Sequence, residues 1–331
     1  MKILFTGGGS AGHVTPNIAL IDYLSTQKHP IEMLYMGSHQ GIEKTLVQEK
    51  VSRYLSVTVG KWRRYRSWRN ALTPFQVALG IVQATWQIGR EKPQLIFSKG
   101  GFVAFPAVIA GFLWRIPVIA HESDLTPGLA NRLSYPFVTQ ILLAFSETSI
   151  PQQYQAKAEH VGTPIRSQLL HGDRAKGLSL CHFQDNIPCL LVMGGSSGSQ
   201  SLNQIVRASL NKLTASCQVI HLCGNGNLNA HYTTIKGYKQ FEYVNKDLPH
   251  LIACADVVVS RAGANSIAEW MAMKKPHVLI PLSTASSRGD QLANAKHFSQ
   301  IGTALVRQES ELDESKLTAD VKKLIDEPLL F

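Results

Sequence analysis

The chain has 331 residues, of which 44% are apolar and 17% charged. This excludes a mostly disordered polymer and predicts a globular protein of two domains. Lys and Arg number 33 against 23 Asp and Glu, a formal net charge of +10. The excess is local. Residues 1–160 carry 16 basic and 9 acidic side chains, and between 50 and 90 there are eight cations and no carboxylate. Such a patch seeks phosphate on a nucleic acid, a lipid surface or a ligand. Five scattered cysteines without a Cys-x-x-Cys fit reduced thiols in the cytosol, with neither a disulfide framework nor a zinc knuckle. Only three apolar residues lie between Met1-Lys2 and Thr6-Gly7, too few for a signal-peptide core. The longest uncharged apolar run, 102–114, has thirteen residues, short of the roughly 20 that span a bilayer.

In chain order, residues 2–6 read as a buried strand and 14–27 as the helix after it. Further strands are expected at 31–36, 95–98, 117–120 and 140–144, with helices at 40–50, 72–90, 103–114 and 127–134. The rhythm restarts at a strand over 188–193 and a helix over 201–213, followed by strands at 218–223, 241–244, 256–260, 277–281 and 304–307. Alternating strands and helices build parallel sheets covered on both faces. The expected fold is α/β, with two Rossmann-like domains joined within 160–166. Ligands of such sheets sit at the carboxyl ends of the strands, so a site between the domains would draw on loops from both.

Five Gly-rich loops fall where strands should end: 6–12, 98–101, 193–198, 223–226 and 260–265. Glycine lets backbone approach a ligand there, and the next helix offers free N–H groups. Gly7, Gly9 and Gly12 satisfy Gly-x-Gly-x-x-Gly, but Met36-Gly37-Ser38 lacks the acid that a dinucleotide's ribose requires. His13-Val14 stands where a nucleotide-hydrolase loop needs Lys-Ser/Thr. His13, where the first loop enters its helix, is either a neutral general base or a turn cap. His121-Glu122-Ser123-Asp124 lies at another strand tip, with carboxylates able to share acid–base work, to hold sugar hydroxyls or to cap the next helix. Glu269 follows the 260–265 loop within about two turns and suits a ribose or an ordinary first-turn position. Arg288-Gly289-Asp290-Gln291 is either a sugar contact or a solvated loop. Lys61-Trp62-Arg63-Arg64-Tyr65-Arg66-Ser67-Trp68-Arg69 interleaves aromatics with cations, and Phe75, Leu79, Val82 and Trp86 follow at helical spacing. Alone, the helical stripe reads as core-facing. With the cations beside it, the segment reads as a contact for an anionic membrane surface rather than for nucleic acid.

Together these motifs resemble the MurG family of bacterial UDP-N-acetylglucosamine transferases. The resemblance rests on Thr6-Gly-Gly-Gly-Ser-Ala-Gly-His13, Phe97-Ser-Lys-Gly-Gly-Phe102, His121-Glu-Ser-Asp-Leu-Thr-Pro-Gly-Leu-Ala-Asn131 and Val161-Gly-Thr-Pro-Ile-Arg166. It continues through Met193-Gly-Gly-Ser-Ser-Gly198, Ser260-Arg-Ala-Gly-Ala-Asn-Ser266 with Glu269, and Arg288-Gly-Asp-Gln291. The motifs run in family order from residue 3 to about 300, and the form of the His121 loop is similar to Gram-positive members.

The resemblance implies the GT-B architecture, with an acceptor- and membrane-facing domain over 1–162 and a UDP-sugar domain over 163–331. It implies inverting transfer of N-acetylglucosamine from UDP-N-acetylglucosamine to the muramyl hydroxyl of lipid I, giving lipid II. By motif position, His13 is the base and Glu122 its reserve, with Asp124 facing the sugar. Donor contacts fall on Ser196, Ala264, Glu269, Asp290 and Gln291, with Arg166 and Val244 at the uracil. Ser10 and Gly12 join the substrate contacts, and Gly8, Gly9, Gly100 and Gly101 form the acceptor and phosphate loops. Trp62, Trp68, Phe75, Leu79, Trp86 and Trp114 would meet the membrane's cytoplasmic face. No Asp-x-Asp is present to hold a metal, and no cofactor is expected. Asp124 and Asp290 replace amides of other members, and the chain stops at Phe331 where the family usually continues. Other readings are a GT-B enzyme with another acceptor, an epimerase, which needs no lipid acceptor, and a non-catalytic UDP-sugar-binding protein. A nicotinamide dehydrogenase is a further one, against which the missing ribose acid already counts.

Overall fold

The computed structural model describes residues 1–60, 69–195, 198–284 and 287–327. The expectations for Trp62, Trp68 and Ser196 lie outside these residues. Two compact units are present, Met1–Arg166 and Ser167–Phe331. The division after Arg166 falls within the expected 160–166 joint, just past the expected boundary at 162. The N–H groups of Val161 and Gly162 donate to the Leu143 carbonyl at 3.0 and 3.2 Å, so this stretch still belongs to the first sheet's edge.

The first unit contains β1 (Lys2–Thr6), α1 (Thr15–Ser25), β2 (Glu32–Ser38), α2 (Ile42–Val47), β3 (Arg53–Val57) and α3 (Arg69–Glu91). It continues with β4 (Leu95–Ser98), α4 (Phe105–Leu113), β5 (Val118–Glu122), α5 (Leu129–Ser134), β6 (Gln140–Leu143) and β7 (Ala158–His160). All strands pair in parallel, in the order β3-β2-β1-β4-β5-β6-β7. Central strands covered on both faces need apolar side chains at every position. Along β1, Leu4 enters one core with Leu34, Ile96 and Ala120, while Ile3 and Phe5 enter the opposite core with Tyr35 and Phe97. The outer strand β3 buries only Leu55 and Val57, a signal too short to mark it in sequence.

The second unit contains α6 (Arg174–Cys181), β8 (Cys189–Met193), α7 (Gln200–Ala208), α8 (Leu210–Leu213), β9 (Gln218–Leu222), β10 (Tyr238–Phe241) and α9 (Leu248–Cys254). Then come β11 (Val257–Ser260), α10 (Ala264–Ala272), β12 (His277–Leu279), α11 (Asp290–Gln300), β13 (Leu305–Val306) and α12 (Glu314–Asp326). Its parallel sheet runs β10-β9-β8-β11-β12-β13. β10 lies three residues earlier than expected. Its register pairs Tyr238 with Val219, and the buried Tyr238 hydroxyl meets His221 Nδ1 at 2.9 Å.

Helix α3 corrects the core-facing reading of its stripe. Ala84 and Ile88 are fully buried, whereas Phe75, Leu79, Val82 and Trp86 are 75, 50, 66 and 61% exposed. The three- and four-residue spacing is therefore the outer face of the helix. Trp114 is also half-exposed, its indole N–H donating to the Thr85 carbonyl at 2.8 Å. Among the described residues, no helix is long and apolar enough to cross a membrane.

Candidate active site

In each sheet the strand order reverses at one point: between β1 and β4 in the first unit, and between β8 and β11 in the second. Loops diverge there and leave a crevice outside the strand ends. Four of the five Gly-rich loops leave these four strands.

In the first unit, the Lys99 N–H donates to the Thr6 carbonyl at 2.8 Å and joins the ends of β4 and β1. Gly101 has φ +78°, and a Cβ there would stand 2.4 Å from the Gly8 carbonyl oxygen. Only glycine lets these loops touch. Gly9, at φ +83°, leaves the same kind of space to the Phe102 ring. The loop is held from below. Asn17 donates to the Thr6 carbonyl at 3.1 Å and the Tyr35 hydroxyl to the Gly7 carbonyl at 2.7 Å. The buried Glu43 carboxylate accepts from the N–H groups of Gly9 (3.2 Å) and Ser38 (3.0 Å) and from the Ser38 hydroxyl. Nothing in the sequence marks Glu43, which reads as an ordinary acid in the first turn of α2. Ser10 and Gly12 lie exposed on the same loop, and Gly100 is buried beside the Asn131 carboxamide.

His13 ends a short 3-10 turn, Ala11–His13, ahead of α1. Its Nδ1–H donates to the Lys99 carbonyl at 3.2 Å. That bond puts the proton on Nδ1 and the lone pair on Nε2. The loop after β4 thereby orients the imidazole carried by the loop after β1.

The tip of β5 is built around two groups with opposite roles. Glu122 is buried, and each of its carboxylate oxygens accepts twice. Oε1 takes the N–H groups of Ser123 (2.8 Å) and Asp124 (3.1 Å), while Oε2 takes the Gly128 N–H (3.0 Å) and the Asn131 amide (2.9 Å). A carboxylate offers about four acceptor positions, so this one shapes the loop that presents the half-buried Asp124. Lys99, only 1% exposed, reaches the same loop. Its ammonium lies 2.6 Å from His121 Nδ1 and donates to the Ser123 hydroxyl. The His121 Nε2–H donates to the Gly162 carbonyl at 2.8 Å. Burial lowers the Lys99 ammonium to about 8, opposed by Glu122 and Asp124. Burial, then the charge of Lys99, lowers His121 to about 3, leaving a neutral ring. Lys99 had been legible only as part of a Gly-rich motif.

In the second unit, Ala264 opens α10 behind an extended Gly263. The first amides of such a helix have no intrahelical acceptor and suit an anion. Glu269 lies farther along α10 and is buried. The Trp270 indole donates to the Ser260 hydroxyl at 3.0 Å and fixes the helix to its strand. Arg261 joins the two diverging loops, donating to the Ser199 and Ser201 hydroxyls at 2.6 and 3.2 Å and to Glu309 at 2.8 Å. Its hydrogen bond holds the Glu309 carboxyl below the usual range. Asp290 begins α11 and accepts from the Arg288 N–H at 3.0 Å, closing its own turn. Gln291 accepts from the Leu282 N–H at 3.1 Å, which orients its carboxamide. Val244 packs on the core of β8 and β9. Arg166 is the last residue of the first unit, at the end of the expected 160–166 joint.

Residues 3–143 match the glycosyltransferase family 28 N-terminal domain, and residues 189–330 match its C-terminal domain. A relative from Legionella pneumophila (strain Paris) is 50% identical over 324 residues, covering 98% of this chain and 89% of its own. It is named UDP-N-acetylglucosamine–N-acetylmuramyl-(pentapeptide) pyrophosphoryl-undecaprenol N-acetylglucosamine transferase. The chain belongs to the MurG transferases of glycosyltransferase family 28. A relative of the same name from Clostridium botulinum (strain Hall) is 50% identical over 323 residues, 98% of this chain and 90% of its own. Among solved structures, Acinetobacter baumannii MurG aligns with a TM-score of 0.75 at 23% identity, covering 98% of this chain and 90% of that one. UDP-GlcNAc 2-epimerase from Neisseria meningitidis aligns at 0.64 with 15% identity, over 99 and 92% of the two chains. These structural likenesses bear out the GT-B fold that the motifs of family 28 imply.

Proposed function

We propose that the protein transfers N-acetylglucosamine from UDP-N-acetylglucosamine to the muramyl hydroxyl of lipid I, giving lipid II for peptidoglycan synthesis. One observation carries this reading: relatives named for that activity match 98% of the chain at 50% identity. The reaction is a single displacement with inversion. His13 Nε2 takes the hydroxyl proton, the oxygen bonds to the anomeric carbon, and the bond from that carbon to UDP breaks with its electrons leaving on the diphosphate. Positioned amides at helix N-termini suit the charge that develops there. The geometry favours His13 over Glu122 as the base, because Glu122 already accepts four hydrogen bonds in its own loop.

The donor belongs to the second unit in this reading. Ala264 and the Ser196 loop meet the diphosphate, Glu269 the ribose, and Asp290 and Gln291 the sugar hydroxyls, with Arg166 and Val244 at the uracil and Asp124 a further sugar contact. The acceptor belongs to the loops of Gly8, Gly9, Ser10, Gly12, Gly100 and Gly101. The protein binds peripherally to the anionic cytoplasmic face of the plasma membrane through Phe75, Leu79, Trp86 and Trp114. The support for that contact is an exposed apolar helix face on a chain of net charge +10, a pairing suited to an anionic interface.

UDP release measured with and without a short-chain lipid I analogue tests the reaction class. A transferase releases UDP at an acceptor-dependent rate. An epimerase would convert the donor with no acceptor, and a binding protein would retain it unchanged.

A further inference from the structure

Lys99 is a buried charged group that the mechanism leaves unused. Lys99 sits just past β4, where the first sheet's order reverses, and it bonds to three neighbouring segments. Its N–H holds the end of β1 at Thr6, its carbonyl receives the His13 imidazole, and its ammonium reaches His121 near the end of β5 and Ser123 just past it. Removing an ammonium from water costs several kcal/mol, and an apolar side chain of similar length would fill the space without that penalty. The charged groups around it are Glu122 and Asp124, with His121 on its ammonium and His13 on its carbonyl. The Gly162 carbonyl fixes the far side of His121, so the ring presents its Nδ1 lone pair to Lys99.

We propose that Lys99 is a positioning residue for the transfer, holding the His13 loop through its carbonyl and the His121–Asp124 loop through its ammonium. This rests on the reaction proposed above. Charge-assisted bonds are stronger than those of a neutral amine, so the arrangement slackens when the ammonium loses its proton. Its pKa falls from 10.5 in water to about 8 in the fold. Between those values the unfolded chain binds more protons, so folding stability gains from this group as pH rises. Activity moves the opposite way over the same interval, which a purely structural lysine would not produce.

The test compares the full chain with Lys99→Met. It measures kcat and KM for a lipid I analogue across pH, UDP-N-acetylglucosamine affinity, and the imidazole ¹⁵N resonances of histidine-labelled protein without substrate. The His121 signal is identified by its loss in His121→Gln. Expected for Lys99→Met are a kcat lower by about a hundredfold, donor affinity within about twofold of wild type, and loss of a basic limb near pH 8. In the wild type, the His121 Nδ1 resonance shifts with a midpoint near pH 8, and in the variant it does not. Unchanged kcat and an unchanged basic limb in Lys99→Met would overturn the proposal. So would a wild-type His121 resonance that stays still between about pH 7 and 9.5, a result that stands even if the variant does not fold. Absence of transfer by the wild type would instead defeat the proposed reaction, while the substrate-free titration still judges the Lys99 contact.

Discussion

His13 donates from Nδ1 to the Lys99 carbonyl at 3.2 Å, across the point where the strand order of the first sheet reverses. The proton on Nδ1 leaves Nε2 as the basic nitrogen, the state in which an imidazole takes a proton from a hydroxyl. His13→Ala should therefore lower kcat by about 10²- to 10⁴-fold while leaving UDP-N-acetylglucosamine affinity within about twofold. Equal loss of turnover and affinity would make His13 a binding residue.

Glu122→Gln replaces a four-fold acceptor with a group that turns an NH₂ toward other donors. Urea unfolding should show a loss of about 1–3 kcal/mol, and the acid limb of kcat should persist. A variant of wild-type stability that lacks the acid limb would make Glu122 the base.

Glu269→Ala tests the ribose assignment. Loss of a carboxylate accepting from ribose hydroxyls is worth about 1.5–3 kcal/mol, so affinity for UDP-N-acetylglucosamine should fall about tenfold or more by calorimetry. An unchanged affinity in a folded variant would remove the assignment.

Acid stability should depend on buried, neutral histidines in both units, His121 in the first and His221 in the second among them. Burial lowers His121 and His221 from 6.5 to about 3. Both rings accept a proton on unfolding that they refuse in the fold, so their contribution is complete above pH 6.5 and is lost progressively toward pH 3. Urea midpoints taken at intervals from pH 7 to 4 should fall. In His221→Gln the decline should be shallower by about one proton, and an identical slope would contradict the assignment.

On the outer face of α3, Phe75→Ser with Trp86→Ser should abolish co-sedimentation with anionic vesicles. Turnover of a water-soluble short-chain acceptor should stay within about twofold, since exposed substitutions seldom change stability by more than about 0.5 kcal/mol. Unaltered vesicle binding would place the membrane contact elsewhere.

The central strands were legible because burial on both faces demands unbroken apolar runs, as at 2–6 and 188–193. Edge strands β3 and β7 were not, since partial burial leaves too few apolar residues to form a pattern. The stripe at Phe75, Leu79, Val82 and Trp86 had the right period, but period alone does not say which side of a helix faces water. Site loops stood out where glycine is compulsory, as at Gly9 and Gly101. Groups that act from beneath them did not. Glu43, Lys99 and Arg261 each look like routine surface residues until the fold closes over them and leaves their charge to be met by neighbouring loops.

The most direct measurement is transfer of labelled N-acetylglucosamine from its UDP donor to a lipid I analogue, with the anomeric configuration of the product read by NMR. The expected product is acceptor-dependent, with the anomeric centre inverted and one UDP released per sugar transferred. A product of retained configuration would contradict the mechanism. Donor that binds saturably and is never passed to this acceptor would contradict the function.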